Sequence, residues 1–376
     1  MCAAPPPQTA GMLSARVPFA APACGQAWPA RVTRFTPPAC PGLPPSAPAG
    51  EYPFEIVSRP GYCLLVPDSE VLIHARDLTK RFGNFTAVDG IGFELHRGEA
   101  FGFLGPNGAG KSSTMRMIGC VSPPTSGELT ILGLDSVRQG QSIRARLGVV
   151  PQDDTLDVEL TVRENLLVYG RYFGLPRRVI RERTEQLLEF VQLQDRAKDK
   201  VDPLSGGMKR RLTIARSLIN EPDILILDEP TTGLDPQARH VVWDRLFRLK
   251  QRGVTLILTT HYMDEAEQLC DRLVVMDHGT FAASGSPREL IERYCSPEVL
   301  ELRFDPQVQD SAAEKLRDFP SERTEVLADR ILLYVPDGDV ALADVGEQGF
   351  EPLTALVRRG TLEDVFLRLT GRRLED

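Results

Sequence analysis

One octapeptide narrows the folds open to this chain more than any other stretch: Gly105-Pro106-Asn107-Gly108-Ala109-Gly110-Lys111-Ser112. It follows a short apolar run, Ala100 to Leu104, and leads into Ser113-Thr114-Met115-Arg116-Met117-Ile118, which reads as a helix start. A strand, a glycine-rich loop and a helix with the spacing G-x-x-x-x-G-K-[ST] make a phosphate-binding loop. Glycines let backbone N–H groups converge on anionic oxygens with no Cβ in the way, and the helix adds its positive N-terminal end. Lys111 has the reach for β- and γ-phosphates, Ser112 has a hydroxyl for Mg²⁺, and Ser113 continues the cradle into the helix. A glycine-rich turn with no ligand is the plain alternative, and the loop's companions elsewhere in the chain decide between the two.

At 376 residues the chain can hold two or three domains and bury a full core. The net charge is −8 with no basic half or stripe, which argues against a dedicated nucleic-acid binder. The seven cysteines are scattered and form no C-x-x-C pair, so reduced thiols are expected and a zinc site is not. No apolar stretch approaches the roughly 20 residues that span a bilayer, so any membrane role is expected to need a separate partner. Residues 1–67 differ from the rest, holding half of the 30 prolines and few charges. Runs such as Cys40-Pro41-Gly42-Leu43-Pro44-Pro45 cannot build a helix or a central strand. The segment reads either as a disordered tail or as a start codon called too early, with the natural start near Val66 to Val71. A basic start and an uninterrupted apolar core, the marks of a signal peptide, are missing.

From about Val71 the composition becomes globular. Val71 to Ala75 reads as a strand with Ile91 to Leu95 as its hairpin partner. Thr161 to Val191 carries helical periodicity, with Gly174-Leu175-Pro176 separating two helices. This looks like a helical insert within an α/β core. Ile224-Leu225-Ile226-Leu227, Val254 to Leu258 and Arg272 to Met276 are short unbroken apolar runs that fit strands buried on both faces of a mainly parallel sheet. A helix from Pro236 to Arg252 connects the first two, completing the α/β alternation. From about Ser296 to Asp376 the chain reads as a small separate α/β unit. Its expected strands are Val299 to Phe304 and Ile331 to Val335, and its expected helices Ser311 to Phe319 and Thr361 to Leu369. It carries no catalytic constellation and is read as a packing or dimer-stabilising appendix.

Two further stretches carry chemistry. The strand ending Leu227-Asp228-Glu229 presents two carboxylates where ligands of such sheets bind. Asp228 is suited to hold Mg²⁺ directly or through water, and Glu229 to orient or deprotonate an attacking water. Leu204-Ser205-Gly206-Gly207-Met208 opens a basic helix. It reads alone as a helix cap, and ahead of the Asp228-Glu229 strand as a second anion cradle. Lys209-Arg210-Arg211 read as a solvated helix face, and His74, His96, His240 and His278 as surface or structural residues.

With this motif set the chain resembles the ATP-binding subunit of an ABC transporter over about Val71 to Leu290. The resemblance matches Gly105 to Ser112 to the Walker A loop and Gln152 to the glutamine that senses Mg²⁺ and faces the permease. It matches Leu204 to Met208 to the signature motif, and Asp228 and Glu229 to Walker B and the catalytic glutamate. Gly233-Leu234-Asp235 match the D-loop, His261 the switch histidine that touches the γ-phosphate, and Phe82 the aromatic that stacks on adenine. Met208 departs from the usual glutamine at a position with little nucleotide contact. The form Leu-Ser-Gly-Gly-Met-Lys-Arg-Arg-Leu is similar to bacterial exporter ATPases of the nodulation-factor and daunorubicin-resistance types. Val162 to Leu167, Gly170 to Phe173, Asp235 to His240 and Thr361 to Phe366 look most like the nodulation type.

The implied fold is a P-loop NTPase core with an antiparallel β subdomain, a helical insert at about 155–215 and a small C-terminal α/β unit. The ATPase domain spans 71–295 and the C-terminal domain 296–376. The implied cofactors are ATP and Mg²⁺. The implied assembly is a homodimer with two integral-membrane permease subunits, at the cytoplasmic face of the bacterial inner membrane, with no nucleic acid. Each ATP would lie between the P-loop of one copy and Ser205-Gly206-Gly207 of the other. The family implication for the cargo is a lipo-chitin oligosaccharide. A drug, antibiotic or polysaccharide exporter is the alternative, and a soluble ABC ATPase without a transporter is the rival class. The interval between P-loop and signature lacks the sustained heptads of the DNA-repair members.

Overall fold

A computed structural model of the chain describes residues 70–371, together with the backbone of β1 (Phe54–Arg59) and β2 (Tyr62–Pro67). These two strands pair antiparallel, Phe54 opposite Pro67. They fall inside the segment read above as disordered or mis-started, where aromatic and β-branched residues replace the Ala-Pro runs. The expectations for residues 1–53 lie outside the described residues.

The chain then runs through β3 (Val71–Phe82), β4 (Phe85–His96), β5 (Ala100–Leu104), α1 (Lys111–Ile118), β6 (Ser126–Ile131), β7 (Leu134–Asp135), α2 (Gly140–Arg144) and β8 (Leu147–Val150). A helical stretch follows: α3 (Val162–Tyr172), α4 (Arg177–Phe190), a short 3₁₀ turn and α5 (Gly206–Ser217). The core resumes with β9 (Ile224–Asp228), α6 (Pro236–Gln251), β10 (Thr255–Thr260), α7 (Met263–Leu269), β11 (Arg272–Asp277), β12 (Thr280–Gly285) and α8 (Pro287–Tyr294). Last come β13 (Glu298–Arg303), α9 (Gln309–Leu316), β14 (Arg323–Val326), β15 (Ile331–Val335), α10 (Gly338–Glu347), β16 (Thr354–Arg359) and α11 (Leu362–Thr370).

The central sheet has the order β12-β11-β5-β10-β9-β8, parallel except for the β12 edge. Its strands are apolar throughout because both faces are covered. Phe101, Phe103, Ile224, Ile226, Ile257, Val274 and Met276 face one cluster, shared with α1 and the antiparallel sheet β4-β3-β6-β7. Ala100, Leu104, Leu225, Leu227, Leu256, Leu258, Leu273 and Val275 face the other, against α5, α6 and α7. Period-two alternation thus sorts an unbroken apolar run onto two different cores. Phe93 stacks on Phe101 at 5.7 Å and meets Phe103 edge-on at 5.3 Å, locking the antiparallel sheet to the central one.

The helical stretch has its own cluster, in which Val162, Leu166, Leu188, Val191, Leu204 and Leu212 are buried. A capping box starts α3: Thr161 accepts from the Glu164 backbone N–H while Glu164 accepts from that of Thr161. In the C-terminal sheet, order β14-β15-β13-β16, one face packs under α9 and α10 through Leu300, Leu302, Ile331, Leu333 and Val335. The last helix does not stay with that sheet. Leu362, Val365 and Phe366 of α11 are buried in the same cluster as α6, α7 and the central strands. The C-terminal unit is therefore fastened to the preceding core by its final helix, more tightly than a separate appendix requires.

Candidate active site

Strand order builds the site. Moving from β5 through β10 and β9 to β8, each strand releases one functional segment at its carboxyl end. β5 gives the glycine-rich loop, β10 gives Thr259 and His261, β9 gives Asp228 and Glu229, and β8 gives Gln152.

The loop is shaped by glycines that nothing else could replace. A Cβ on Gly105 would stand 2.2 Å from the Met276 carbonyl oxygen. Gly110 has φ 105°, and its Cβ would meet the Ala87 carbonyl oxygen at 2.4 Å. From below, the Gly279 N–H donates to the Ala109 carbonyl at 3.0 Å. Gly110 caps α1 without any side-chain bond, so the N–H groups of the first turn have no side chain competing for them. Ser112 is exposed and Ser113 half-buried in that turn, while Pro106, Asn107, Gly108 and Ala109 form the rim.

Lys111 is 4% exposed and donates to the carbonyls of Gly105 at 2.5 Å and Pro106 at 3.0 Å. Its ammonium lies 3.8 Å from Glu229 Oε1. Burial pulls the lysine below its usual range, with Glu229 and Asp228 opposing. The Asp228 Oδ1 accepts from Thr259 Oγ1 at 2.5 Å and from Ser112 Oγ at 3.5 Å. Thr259 stands directly opposite Asp228 across the β10–β9 pair. Glu229 begins the next turn at φ 45° and is buried, and its N–H donates to Thr259 Oγ1 at 3.0 Å. Its Oε2 accepts from Gln152 Nε2 and Thr232 Oγ1, each at 3.1 Å. His261 Nδ1 stands 3.4 Å from its Oε1, within ion-pair distance though not aligned as a hydrogen bond. The His261 imidazole, with Lys111 and Thr232, holds the Glu229 carboxyl below the usual glutamate range against the push of burial. The result is an ionised carboxylate whose two oxygens face neighbours from the ends of four strands.

The structure brings Gln152, Lys111, Ser112, Asp228, Glu229 and His261 into this one cluster. Phe82 sits apart at the end of β3, half exposed, with the Lys80 ammonium 5.0 Å above its ring. Ser205, Gly206 and Gly207 also sit apart. Ser205 caps α5 by accepting from the Met208 N–H at 3.3 Å, and among the described residues no hydrogen bond or ion pair joins these residues to the glycine-rich loop. A Cβ on Gly207 would instead meet Ala238 at 2.8 Å. Asp235 caps α6, accepting from the Ala238 N–H at 2.8 Å.

One expectation fails. Lys209-Arg210-Arg211 are not a solvated face: Arg210 is buried, and Arg211 donates to the Val191 carbonyl at 2.7 Å. Arg210 lies four residues before Ile214 and seven before Ser217, both buried, so its helical spacing points inward. Thr259 and Thr232 also went unnoticed in the sequence, since a hydroxyl beside a strand end carries no distinctive spacing.

A family model described as ABC transporter matches residues 88–232, and one described as Nodulation factor export protein NodI, C-terminal domain, matches residues 309–371. The Nod factor export ATP-binding protein I of Rhizobium sp. (strain N33) is 48% identical over 307 residues, covering 82% of this chain and 99% of that protein. The protein of the same name from Paraburkholderia xenovorans (strain LB400) is 47% identical over 310 residues, with 82% and 99% covered. Among solved structures, an ATP binding subunit of an ABC transporter is 30% identical with a TM-score of 0.54, covering 59% of this chain and 93% of that one. An ATP-binding cassette solved as a dimer in a post-hydrolysis state with ADP and Pi is 27% identical with a TM-score of 0.53, covering 57% and 98%.

Proposed function

From the premise that the chain belongs to the ABC transporter ATP-binding subunits, in the group of Nod factor export ATP-binding proteins, we propose that it drives export of a lipo-chitin oligosaccharide. The chain is the ATP-hydrolysing, energy-coupling subunit of an ABC export complex, and it binds ATP. The observation that carries the reading is the Glu229 carboxylate, ionised and aimed by Gln152, Thr232, His261 and Lys111 beside a glycine-rich cradle.

In this reading the loop N–H groups from Gly105 to Ser113 and the Lys111 ammonium hold the phosphates, and Phe82 stacks on the base. Lys111 exchanges its own loop carbonyls for phosphate oxygens. The Ser112–Asp228 oxygen pair, with Gln152, suits Mg²⁺, which takes a few hard oxygen ligands beside substrate phosphates. When bound, Mg²⁺ neutralises charge developing on the transferred phosphoryl oxygens. Glu229 takes the proton of the attacking water, and His261 supports the γ-phosphate.

Ser205-Gly206-Gly207 lie outside their own copy's cluster, which supports a homodimer in which they, with Asp235, complete the partner's site. Two permease subunits complete the complex at the cytoplasmic face of the bacterial inner membrane. Among the described residues no helix is long and apolar enough to cross a membrane. A groove of about 430 Å³ lined by Val149, Pro151, Thr155, Tyr169, Tyr172 and Arg216 supports a permease contact next to Gln152. The division into an ATPase domain at 71–295, with its helical part at about 155–215, and a C-terminal domain at 296–376 belongs to the same proposal.

The test is Glu229→Gln. Turnover is expected to fall about 10²–10⁴-fold with ATP still bound and the dimer trapped closed. Near-normal hydrolysis by this variant contradicts the assigned role.

A further inference from the structure

Arg210 is 9% exposed and lies on the helix that Ser205 caps. All three of its guanidinium nitrogens donate, and every acceptor is a backbone carbonyl. Nε donates to Pro230 at 2.6 Å, and Nη2 to Asp228 and Glu229 at 3.0 Å each. Nη1 donates to Pro151 and, at 3.5 Å, to Gln152. Three of these carbonyls belong to the segment leaving β9 and two to the segment leaving β8. Among the described residues no carboxylate stands within ion-pair distance of it; Glu265, Asp154, Asp228 and Glu229 act on it only as more distant charges.

Burying a cation without a direct counter-ion is costly, and burial lowers the Arg210 pKa from its ordinary value. A planar fork of fixed donors can hold five carbonyls at once, which an ammonium cannot. The two segments it grips carry Gln152 and Glu229, whose side chains meet each other at 3.1 Å. Neither segment has regular structure to fix it there: β8 ends at Val150 and β9 at Asp228.

We propose that Arg210 is a positioning residue for ATP hydrolysis, clamping the Gln152 segment to the Glu229 segment and tying both to the helix that opens at Ser205. It touches no reacting atom. It sets the distance and direction at which the glutamine aims the carboxylate, in the same copy that holds the phosphates. Because Ser205 and Arg210 share one rigid helix, docking of Ser205 against the other copy's nucleotide reaches Gln152 and Glu229 through this guanidinium. That last step rests on the two-copy site proposed above.

Mixed dimers test it. One copy carries Glu229→Gln, so hydrolysis occurs only at the P-loop of the other, intact copy. Arg210→Lys is placed in either copy of the full-length chain, and single-turnover hydrolysis is measured at saturating ATP and Mg²⁺. In the intact copy it is expected to slow hydrolysis about 10²-fold, the cost of a misplaced catalytic group. In the Glu229→Gln copy it is expected to leave the rate within about twofold, since that copy has no working carboxylate to aim. ATP affinity of the isolated variant stays within about threefold, because the loop and Phe82 are untouched. Arg210→Gln, a smaller planar donor, is run in parallel and shows the same asymmetry should the lysine variant fold poorly. Equal slowing from either copy, or no slowing from the intact copy, overturns the proposal. If the unaltered chain forms no dimer with ATP, the two-copy reading itself falls, and the Ser205 link with it. The clamp is then overturned if Arg210→Lys hydrolyses at the unaltered rate.

Discussion

Two carboxylates, Glu229 and Asp364, are both held below their ordinary range, and they serve opposite ends. Glu229 is buried yet kept ionised beside the His261 imidazole and the Lys111 ammonium. Asp364 is 1% exposed and accepts from Arg358 at 2.7 and 2.9 Å, from the Thr361 N–H at 2.8 Å and from the Tyr334 hydroxyl at 3.0 Å. Burial alone would push its carboxyl up, and the Arg358 guanidinium outweighs it. Asp364→Asn is expected to lose about 2–4 kcal/mol of stability, somewhat under the usual cost of breaking a buried pair because Arg358 is partly exposed. Since the folded carboxyl lies below its unfolded value, its contribution is complete above about pH 4 and vanishes as pH falls through the folded value. Denaturant unfolding at pH 7 and at successively lower pH checks both: the two proteins differ at the first, and the gap narrows only as the pH falls below about 4. At this scale the sequence was readable where a side chain ends a strand. Asp228 and Glu229 follow an apolar run that can only be a buried strand. Arg210 was hidden because a basic triplet looks solvated, and only packing reveals that its donors meet carbonyls.

Among the elements, β5 and its loop were legible because glycine spacing and an apolar run encode them locally. The strands β9, β10 and β11 were legible for the same reason. α10 was not: Asp337-Gly338-Asp339 resembles a turn, yet Asp337 serves as the helix cap, accepting from the Val340 N–H at 3.0 Å. β16 was missed as well. It is an edge strand whose outward residues are exposed, so it lacks a continuous apolar signal. The phosphate loop yields a sharp prediction. Gly110→Ala meets both an unfavourable φ and the Ala87 carbonyl, while Gly108→Ala meets only an unfavourable φ in open space. Gly110→Ala is therefore expected to abolish measurable ATP binding and to cost at least about 2 kcal/mol, against roughly 1 for Gly108→Ala. Equilibrium nucleotide binding and thermal unfolding of the pair check the order. Equal effects would mean that backbone strain, not the Ala87 contact, governs the loop.

For the whole molecule, the decisive features are a catalytic cluster complete on one side and a signature helix that points its cap elsewhere. In the two-copy reading proposed above, a chain built this way holds half of each of two sites. Its last helix, α11, seats Leu362, Val365 and Phe366 in the main core, so the C-terminal sheet travels with the ATPase body. The sequence foretold β13 and β15 of that sheet but not this attachment, because the apolar face of a helix does not say which core it joins. Removing the phenyl ring in Phe366→Ala is expected to cost about 3–5 kcal/mol, and the loss registers in unfolding of the ATPase body as well as the C-terminal sheet. Two separate transitions, with only the later segment affected, would contradict that attachment. Whether this chain powers a membrane export complex is tested by a tagged pull-down from detergent-solubilised membranes, with partners identified by mass spectrometry. A multi-span membrane protein is expected in amounts comparable to the chain itself. Recovery with cytosolic partners alone would contradict it.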